Sequence, residues 1–398
     1  MSNRWDNFNK AWDTYIGNDV IGMKYISEIL KHSFLGTVIP TKLKISDDWL
    51  RPRIHVFFIQ PPTTGKSRIM KRVGKLINYI DEDSCIQVLT VTDAKLTGTF
   101  SQPVGPKDAI EYDGWLTTKK CIIWDEASIL LKQHSHNESL SEILQMAIDD
   151  PGKNVRGVVH GEINKPTETT ILAITYPVSQ LADIIVNKGL LQRFFIVYHV
   201  GGQEEFEKID EAFPSLFTTK QDKTEDLMNA IKQSIKDLPH KLEVNVDDLI
   251  KFQKEVLTPY RNECIYGQYL DGKAPLLRTF WMRLKNKMMK IALQYAVMNE
   301  KKEIDYESYK YAFDLEKKEL SSIQTIIESV NSTPLKKQNK DYIIKYLTEE
   351  RSQVLIEIMM KKNKIGRNKT LSILNEMETD KLIEYKLVKK NKIWNLKI

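Results

Sequence analysis

The sequence predicts an α/β protein: a three-layer core around a parallel sheet, then a helical segment, then a small basic tail. Three observations carry this. Short apolar runs rich in β-branched and aromatic residues alternate with helical patterns. The first of these runs leads into a Pro/Thr turn that ends Gly-Lys-Ser. The last 64 residues hold 16 Lys+Arg against 8 Asp+Glu, which leaves 43 against 45 for the rest of the chain.

Residues 54–59 (IHVFFI), 86–91 (IQVLTV), 121–124 (CIIW), 170–174 (TILAI) and 194–200 (FFIVYHV) read as five buried strands. Helical patterns fall between them, notably Ser67–Ile80 and Ser139–Ile148. Strands alternating with helices argue a parallel sheet covered by helices. This core domain is expected over 1–224. From 225 to 330 the pattern is helical, in four stretches: 225–238, 247–260, 276–299 and 305–329. NSTPLKKQ (331–338) reads as a linker, with Pro334 as the breaker. A tail domain is expected over 335–398. Helices fit 338–349, 352–362 and 367–378, and a β-hairpin fits 382–388 with 392–398, the order of a winged helix.

Composition excludes several classes. Of 398 residues, 41% are hydrophobic and 28% charged, which suits a soluble globular chain. No stretch approaches the ~20 apolar residues of a membrane span. The polar start, MSNRWDNFNK, lacks the apolar core of a secretion signal. An intracellular, cytoplasmic protein without membrane contact is expected. Cys85, Cys121 and Cys264 show no zinc spacing, and His134 and His136 read as a solvated loop. Net charge is +6, and the excess lies in the tail, which points to a polyanion such as nucleic acid. In a helix-turn-helix the last helix enters the major groove. Arg367 and Lys369 open that helix, and Lys389, Lys390 and Lys392 lie on the wing. A winged helix used only for protein contacts is the alternative.

Residues 60–67 read Gln-Pro-Pro-Thr-Thr-Gly-Lys-Ser between a strand and a helix. This is a phosphate-binding loop with its first glycine replaced by Gln60. In the loop Pro62-Thr63-Thr64-Gly65, the backbone N–H groups of Thr63, Thr64 and Gly65, with the helix start, would cradle phosphates, and Pro62 would shape the turn. Lys66 would meet the β/γ-phosphates and the Ser67 hydroxyl a Mg²⁺ ion. Such a site also needs an apolar strand ending in an acid. Cys121-Ile122-Ile123-Trp124-Asp125-Glu126 supplies it. Asp125 would hold Mg²⁺ and Glu126 would orient the attacking water. ATP with Mg²⁺ is the expected ligand.

The order of the segments is more specific than any one of them. WLRPRIHVFFIQPPTTGKSR (49–68) resembles the approach to the P-loop in the minichromosome maintenance helicases of the AAA+ class. IGNDVIGMKYISEILKHSFLG (16–36) resembles that family's opening turn and amphipathic helix. LTGTF (96–100) and YDGWLTTKKCIIWDEAS (112–128) resemble its helix-2 insertion and Walker B run. ILQMAIDDPGKNVRGVVHGEINKPTETTILAITYP (143–177) is similar to its pre-sensor-1 hairpin and sensor-1 strand. KGLLQRFF (188–195) is similar to the arginine-finger segment, and RLKNKMMKIALQYA (283–296) with IDYESYKYAF (304–313) to the sensor-2 helix and its successor.

The resemblance implies an AAA+ core with a helical lid and a winged helix. It makes Lys66 and Ser67 the Walker A contacts and Asp125 and Glu126 the Walker B pair. Arg193 becomes an arginine finger for a neighbouring subunit, and Arg283, with Arg278 as runner-up, the sensor-2 cation. The family's sensor-1 Asn is replaced, since Tyr176 precedes Pro177 here, and Thr175 is the nearest polar hydroxyl. The hairpin tip is Val159-His160-Gly161 where the family carries a Lys. His160, with Arg156 and Lys165 flanking it, would contact DNA. Some fifteen residues precede the opening segment, so the family's N-terminal OB-fold and zinc tier is expected to be absent. This pattern suits a virus, plasmid or integrated element, and a nucleoid location.

The implied function is an ATP-driven, hexameric ring motor that unwinds or translocates on single- and double-stranded DNA in replication. Two other functions fit the same residues: an AAA+ loader or remodeller, and an origin- or operator-binding protein with weak ATPase.

Overall fold

The computed structural model describes residues 3–16, 24–45, 48–60, 66–89, 91–100, 111–127, 137–149, 151–158, 161–176, 189–199, 207–208, 211, 224–266, 275–331, 342–345, 347, 351–362, 365–379, 382–388 and 391–396. The chain divides into two compact units, Met1–Gln324 and Thr325–Ile398.

The first unit is built on a five-stranded parallel sheet. Its strands are β1 (Val56–Ile59), β2 (Cys85–Val88), β3 (Cys121–Asp125), β4 (Thr170–Thr175) and β5 (Phe195–Tyr198), in the order β5-β1-β4-β3-β2. All five expected strands are present. Their side chains are buried along β1 and β4 without alternation. A parallel sheet covered on its faces buries both sides of each strand, which is why these strands read as continuous apolar runs. Each fully buried Val, Leu, Ile or Phe contributes about 1.5–3 kcal/mol.

Helix α1 (Lys66–Ile80) follows β1 and lies against the sheet, so close at Gly74 that a Cβ there would sit 2.9 Å from Ile123. Helix α2 (Asn137–Ile148) follows β3. The architecture is α/β and compatible with three layers. Chain direction fixes where ligands go. From β1 the chain crosses to the far edge at β2, whereas from β4 it crosses the other way to β5. In open α/β sheets the carboxyl ends of adjacent strands whose connections run in opposite directions, here β1 and β4, are the usual place for a site.

Two antiparallel hairpins leave the sheet: Gly98–Phe100 with Glu111–Asp113, and Gly152–Val158 with Gly161–Thr167. They are joined by Asn154, whose side chain is buried and donates to the Thr97 carbonyl at 2.6 Å.

The helical stretch belongs to the same unit up to Gln324. Helices α3 (Pro275–Met298) and α4 (Tyr306–Asn331) match the expected spans. The stretch expected at 247–260 is instead a short α-helix, Val246–Phe252, running on into two π-helical segments, Gln253–Leu257 and Arg261–Tyr266. A small sheet not evident in the sequence ties this region to the chain before β1. It runs Glu303–Ile304, Lys241–Val244, Lys42–Ile45, Asp48–Leu50. A buried polar bolt fastens α3 and α4 to β5. Lys287 pairs with Glu319 and donates to the Phe194 carbonyl at 3.1 Å, and Glu319 accepts from the Ile196 N–H at 2.8 Å. Removing one partner of such a pair costs about 3–5 kcal/mol, because it strands the other charge.

The second unit carries a helical turn at 342–345, strand Arg351–Ser352, helices Gln353–Lys362 and Arg367–Thr379, and the hairpin Ile383–Val388 with Asn391–Leu396. The three strands form one antiparallel sheet with Asn391–Leu396 in the middle. Trp394, Ile356, Met360, Leu374 and Ile383 build its own core. Among the described residues no helix is long and apolar enough to cross a membrane.

Candidate nucleotide site

The carboxyl edge of the sheet gathers the residues that the sequence singled out. β1 ends at Ile59, and α1 begins with Lys66 and Ser67. β3 ends at Asp125, separated from β1 only by β4. The Ser67 hydroxyl donates to Asp125 Oδ1 at 2.9 Å. Gln87 on β2 donates to the other carboxylate oxygen at 3.2 Å. The Lys66 ammonium donates to the Gln60 carbonyl at 2.8 Å. Burial lowers the pKa of Lys66, while Glu126 and Asp125 oppose that shift, so both acids stand close enough to act on it.

Glu126 is exposed and takes φ +77°, left-handed for a residue with a Cβ. Such a conformation costs about 1–3 kcal/mol and is held by its surroundings. It turns the chain sharply off the end of β3, immediately after the acid of the site. Thr175, the last residue of β4, is buried beside Ile59, and its carbonyl accepts from the Gln60 N–H at 3.1 Å. Gln60, where the usual loop has glycine, is thus pinned between Thr175 and Lys66.

A hydroxyl and a carboxylate within 3 Å are hard oxygen donors. Mg²⁺ keeps several waters and needs only one or two protein oxygens beside phosphate. Ser67 and Asp125 fit that demand. Pro62, Thr63, Thr64 and Gly65 lie outside the described residues.

The opposite edge holds a second constellation. The Phe195 N–H donates to the His55 carbonyl, so Arg193 lies level with the start of β1. Its Nε and Nη2 donate to the two oxygens of Asp149 at 2.7 and 2.8 Å. Arg283 on α3 donates to Asp149 Oδ1 at 3.3 Å. The two arginines named from the sequence therefore meet on one carboxylate of their own chain. The Arg278 side chain lies outside the described residues.

Arg156 and Lys165 lie on opposite strands of the 152–167 hairpin. Lys165 is held by Asp113 and Glu111 of the neighbouring hairpin, at 2.5 and 2.8 Å. His160 lies outside the described residues, as do Lys389 and Lys390. Arg367 is exposed and pairs with Glu357 at 3.1 Å, and Lys369 follows it in the same helix. Gln87 and Asp149 were not foreseen. A lone Gln within an apolar strand gives no warning of its partner. Asp149 opens an Asp-Asp-Pro-Gly turn and reads locally as a helix stop.

No model of a known protein family matches the chain, and no curated protein matches its sequence.

Proposed function

We propose that the chain is an ATP-hydrolysing DNA motor of the AAA+ class, resembling minichromosome maintenance helicases, that works as a ring. The observation that carries this reading is the placement of two sets of residues on opposite edges of one sheet. Lys66, Ser67, Asp125 and Glu126 stand at the carboxyl edge, suited to a nucleotide triphosphate with Mg²⁺. Arg193 and Arg283 stand at the amino edge, level with His55. From His55 to Gln60 the strand spans about 16 Å at 3.3 Å per residue, beyond the reach of an arginine side chain. Either arginine, if it stabilises the transferred phosphoryl group, then does so on the nucleotide of another copy. That contact is head-to-tail, and repeated it closes into a ring, with a hexamer as the expected form.

In this reading Ser67 and Asp125 hold Mg²⁺, which shields the phosphate charge. Lys66 releases the Gln60 carbonyl and meets the β/γ-phosphates. Glu126 orients the attacking water and accepts its proton. The 152–167 hairpin faces the channel and touches the DNA backbone. The tail, whose element order fits a winged helix, binds duplex DNA and brings the motor to its site.

The test is ATP turnover by the purified chain with and without single-stranded DNA, beside a strand-separation assay. Stimulated turnover with strand separation is the expected outcome. Turnover without separation would make it a loader or remodeller, and no turnover would leave a nucleotide-binding DNA protein. One observation favours the loader for the tail's part: Val354, Leu355 and Ile358 are exposed on a single helix, as a protein-contact face would be.

A further inference from the structure

Asp149 has no role in the reading above, yet it is where that reading's two cations converge. Its surroundings hold it in place. The Asp149 carbonyl accepts from the buried Arg53 at 3.3 Å, and Arg53 also donates to the Thr167 carbonyl at 3.0 Å. Gly152, three residues on, is so tightly enclosed that a Cβ would collide with the Ala147 carbonyl and the Thr167 hydroxyl. The carboxylate is therefore presented from a fixed backbone at the end of α2.

The two arginines use it unequally. A guanidinium has five N–H donors. Arg193 places one from Nε and one from Nη2 on Asp149, and its Nη1 donates to the Gly189 carbonyl at 2.8 Å and to Gln145 at 3.2 Å. Four of its five donors are occupied, and its side chain is 14% exposed. Arg283 makes one contact, at 3.3 Å, and is 38% exposed. Its remaining donors face no partner among the described residues. A phosphate seeking two parallel N–H donors finds them on Arg283 without breaking anything. On Arg193 it must first dismantle a bidentate ion pair.

We propose that Asp149 is a positioning residue: it fixes Arg193 as an anchor and presents Arg283 as the guanidinium that meets the phosphate of a neighbouring chain's nucleotide. This rests on the nucleotide reading above. Arg193 keeps the carboxylate from turning, and the shared oxygen holds the head of Arg283 while its other donors point away. Asp149 itself touches no phosphate.

The experiment has two arms, both on the full-length chain. In the first, phenylglyoxal modification of arginines is followed by mass spectrometry without nucleotide. Arg283 should react and Arg193 should be protected, and Asp149→Asn should make Arg193 reactive. Arg193 reacting as fast as Arg283 in the wild-type chain would overturn the anchor. In the second, turnover and affinity for a fluorescent ATP analogue are measured. Asp149→Asn and Arg283→Lys should each lower kcat about a hundredfold, the scale of one lost charge-stabilising donor. Analogue affinity should stay within about twofold, since the P-loop is untouched. Asp149→Asn protein that remains folded and turns over at the wild-type rate would overturn the positioning role alone. A wild-type chain with no turnover would overturn the nucleotide reading instead, and the footprint would still decide the arrangement of the pair.

Discussion

Ser67 and Asp125 lie 58 positions apart and meet at 2.9 Å, hydroxyl to carboxylate, where two strands of one sheet end. The contact joins the start of α1 to the end of β3 and leaves the second carboxylate oxygen to Gln87. In the proposed mechanism Ser67 and Asp125 would hold Mg²⁺, which would supply positive charge beside the phosphates. The chemistry of the carboxyl edge is tested through the residues around this pair.

In the proposed mechanism Lys66 neutralises phosphate charge, and Glu126 positions water. Lys66→Ala should lose ATP affinity by about tenfold or more, and Glu126→Gln should bind ATP normally with kcat lowered about 10²–10⁴-fold. Equilibrium binding of a fluorescent analogue and phosphate release separate the two. Wild-type hydrolysis by either variant would remove these residues from the site.

The two edges of the sheet predict complementation. Arg283→Ala protein should bind nucleotide and fail to hydrolyse it, and Lys66→Ala protein should neither bind it tightly nor hydrolyse it. Mixed, they form some interfaces that pair an intact P-loop with an intact cation, and turnover should partly return. Light scattering establishes co-assembly. Co-assembled mixtures that stay inactive would mean that the cation does not act between chains.

In the hairpin, Lys165 is already engaged by Asp113 and Glu111, whereas Arg156 lies on the facing strand. Lys165→Ala should therefore loosen the two hairpins, seen as faster amide exchange over 152–167. Replacing Arg156 and His160 together should lower DNA-stimulated turnover and leave basal turnover near wild type. Equal losses of both would mark the hairpin as structural.

The tail has its own core and holds the chain's positive excess. Residues 325–398 alone should bind duplex DNA, with log K falling against log salt by about 0.9 per phosphate contact. Arg367→Ala should weaken binding more than Lys337→Ala, because Arg367 opens the helix that the proposed function sets in the major groove. No gel shift at low salt would make the tail a protein-contact module.

Acid stability is predicted from Glu28. Burial pushes its carboxyl up, but Lys31 at 2.8 Å and the Tyr311 hydroxyl prevail and hold it at about 2, below its ordinary 4.5. A carboxyl depressed in the folded state contributes stability that is complete above the unfolded value. That contribution is lost as pH falls from about 4.5 towards 2, and it amounts to about 3 kcal/mol. Glu28→Gln should lower the melting midpoint at pH 7 and flatten its dependence on pH across that window. An unchanged slope would show that Glu28 is not the group lost in acid.

The sequence by itself determined the five strands of the main sheet, because parallel strands buried on both faces leave unbroken apolar runs. It also marked Lys66, Ser67, Asp125 and Glu126, because Gly-Lys-Ser between strand and helix, and Asp-Glu at a strand end, are local patterns; residues 61–65 of the loop lie outside the described residues. Two of the tail's helices, Gln353–Lys362 and Arg367–Thr379, and its hairpin were legible for the same reason of local periodicity, while most of 338–349 lies outside the described residues. The small sheet of strands from Lys42 to Ile304 was not, since four strands of two to four residues carry no period long enough to read. Nor was the division of labour between the arginines. Arg193 and Arg283 are both basic residues in suitable segments, and nothing near either one distinguishes anchor from free donor. Their common partner lies 44 and 134 positions away. Only the packing of α3 against the turn Leu191–Arg193, beside the end of α2, brings Asp149 between them, because a hydrogen bond is decided at 3 Å and sequence separation does not enter it.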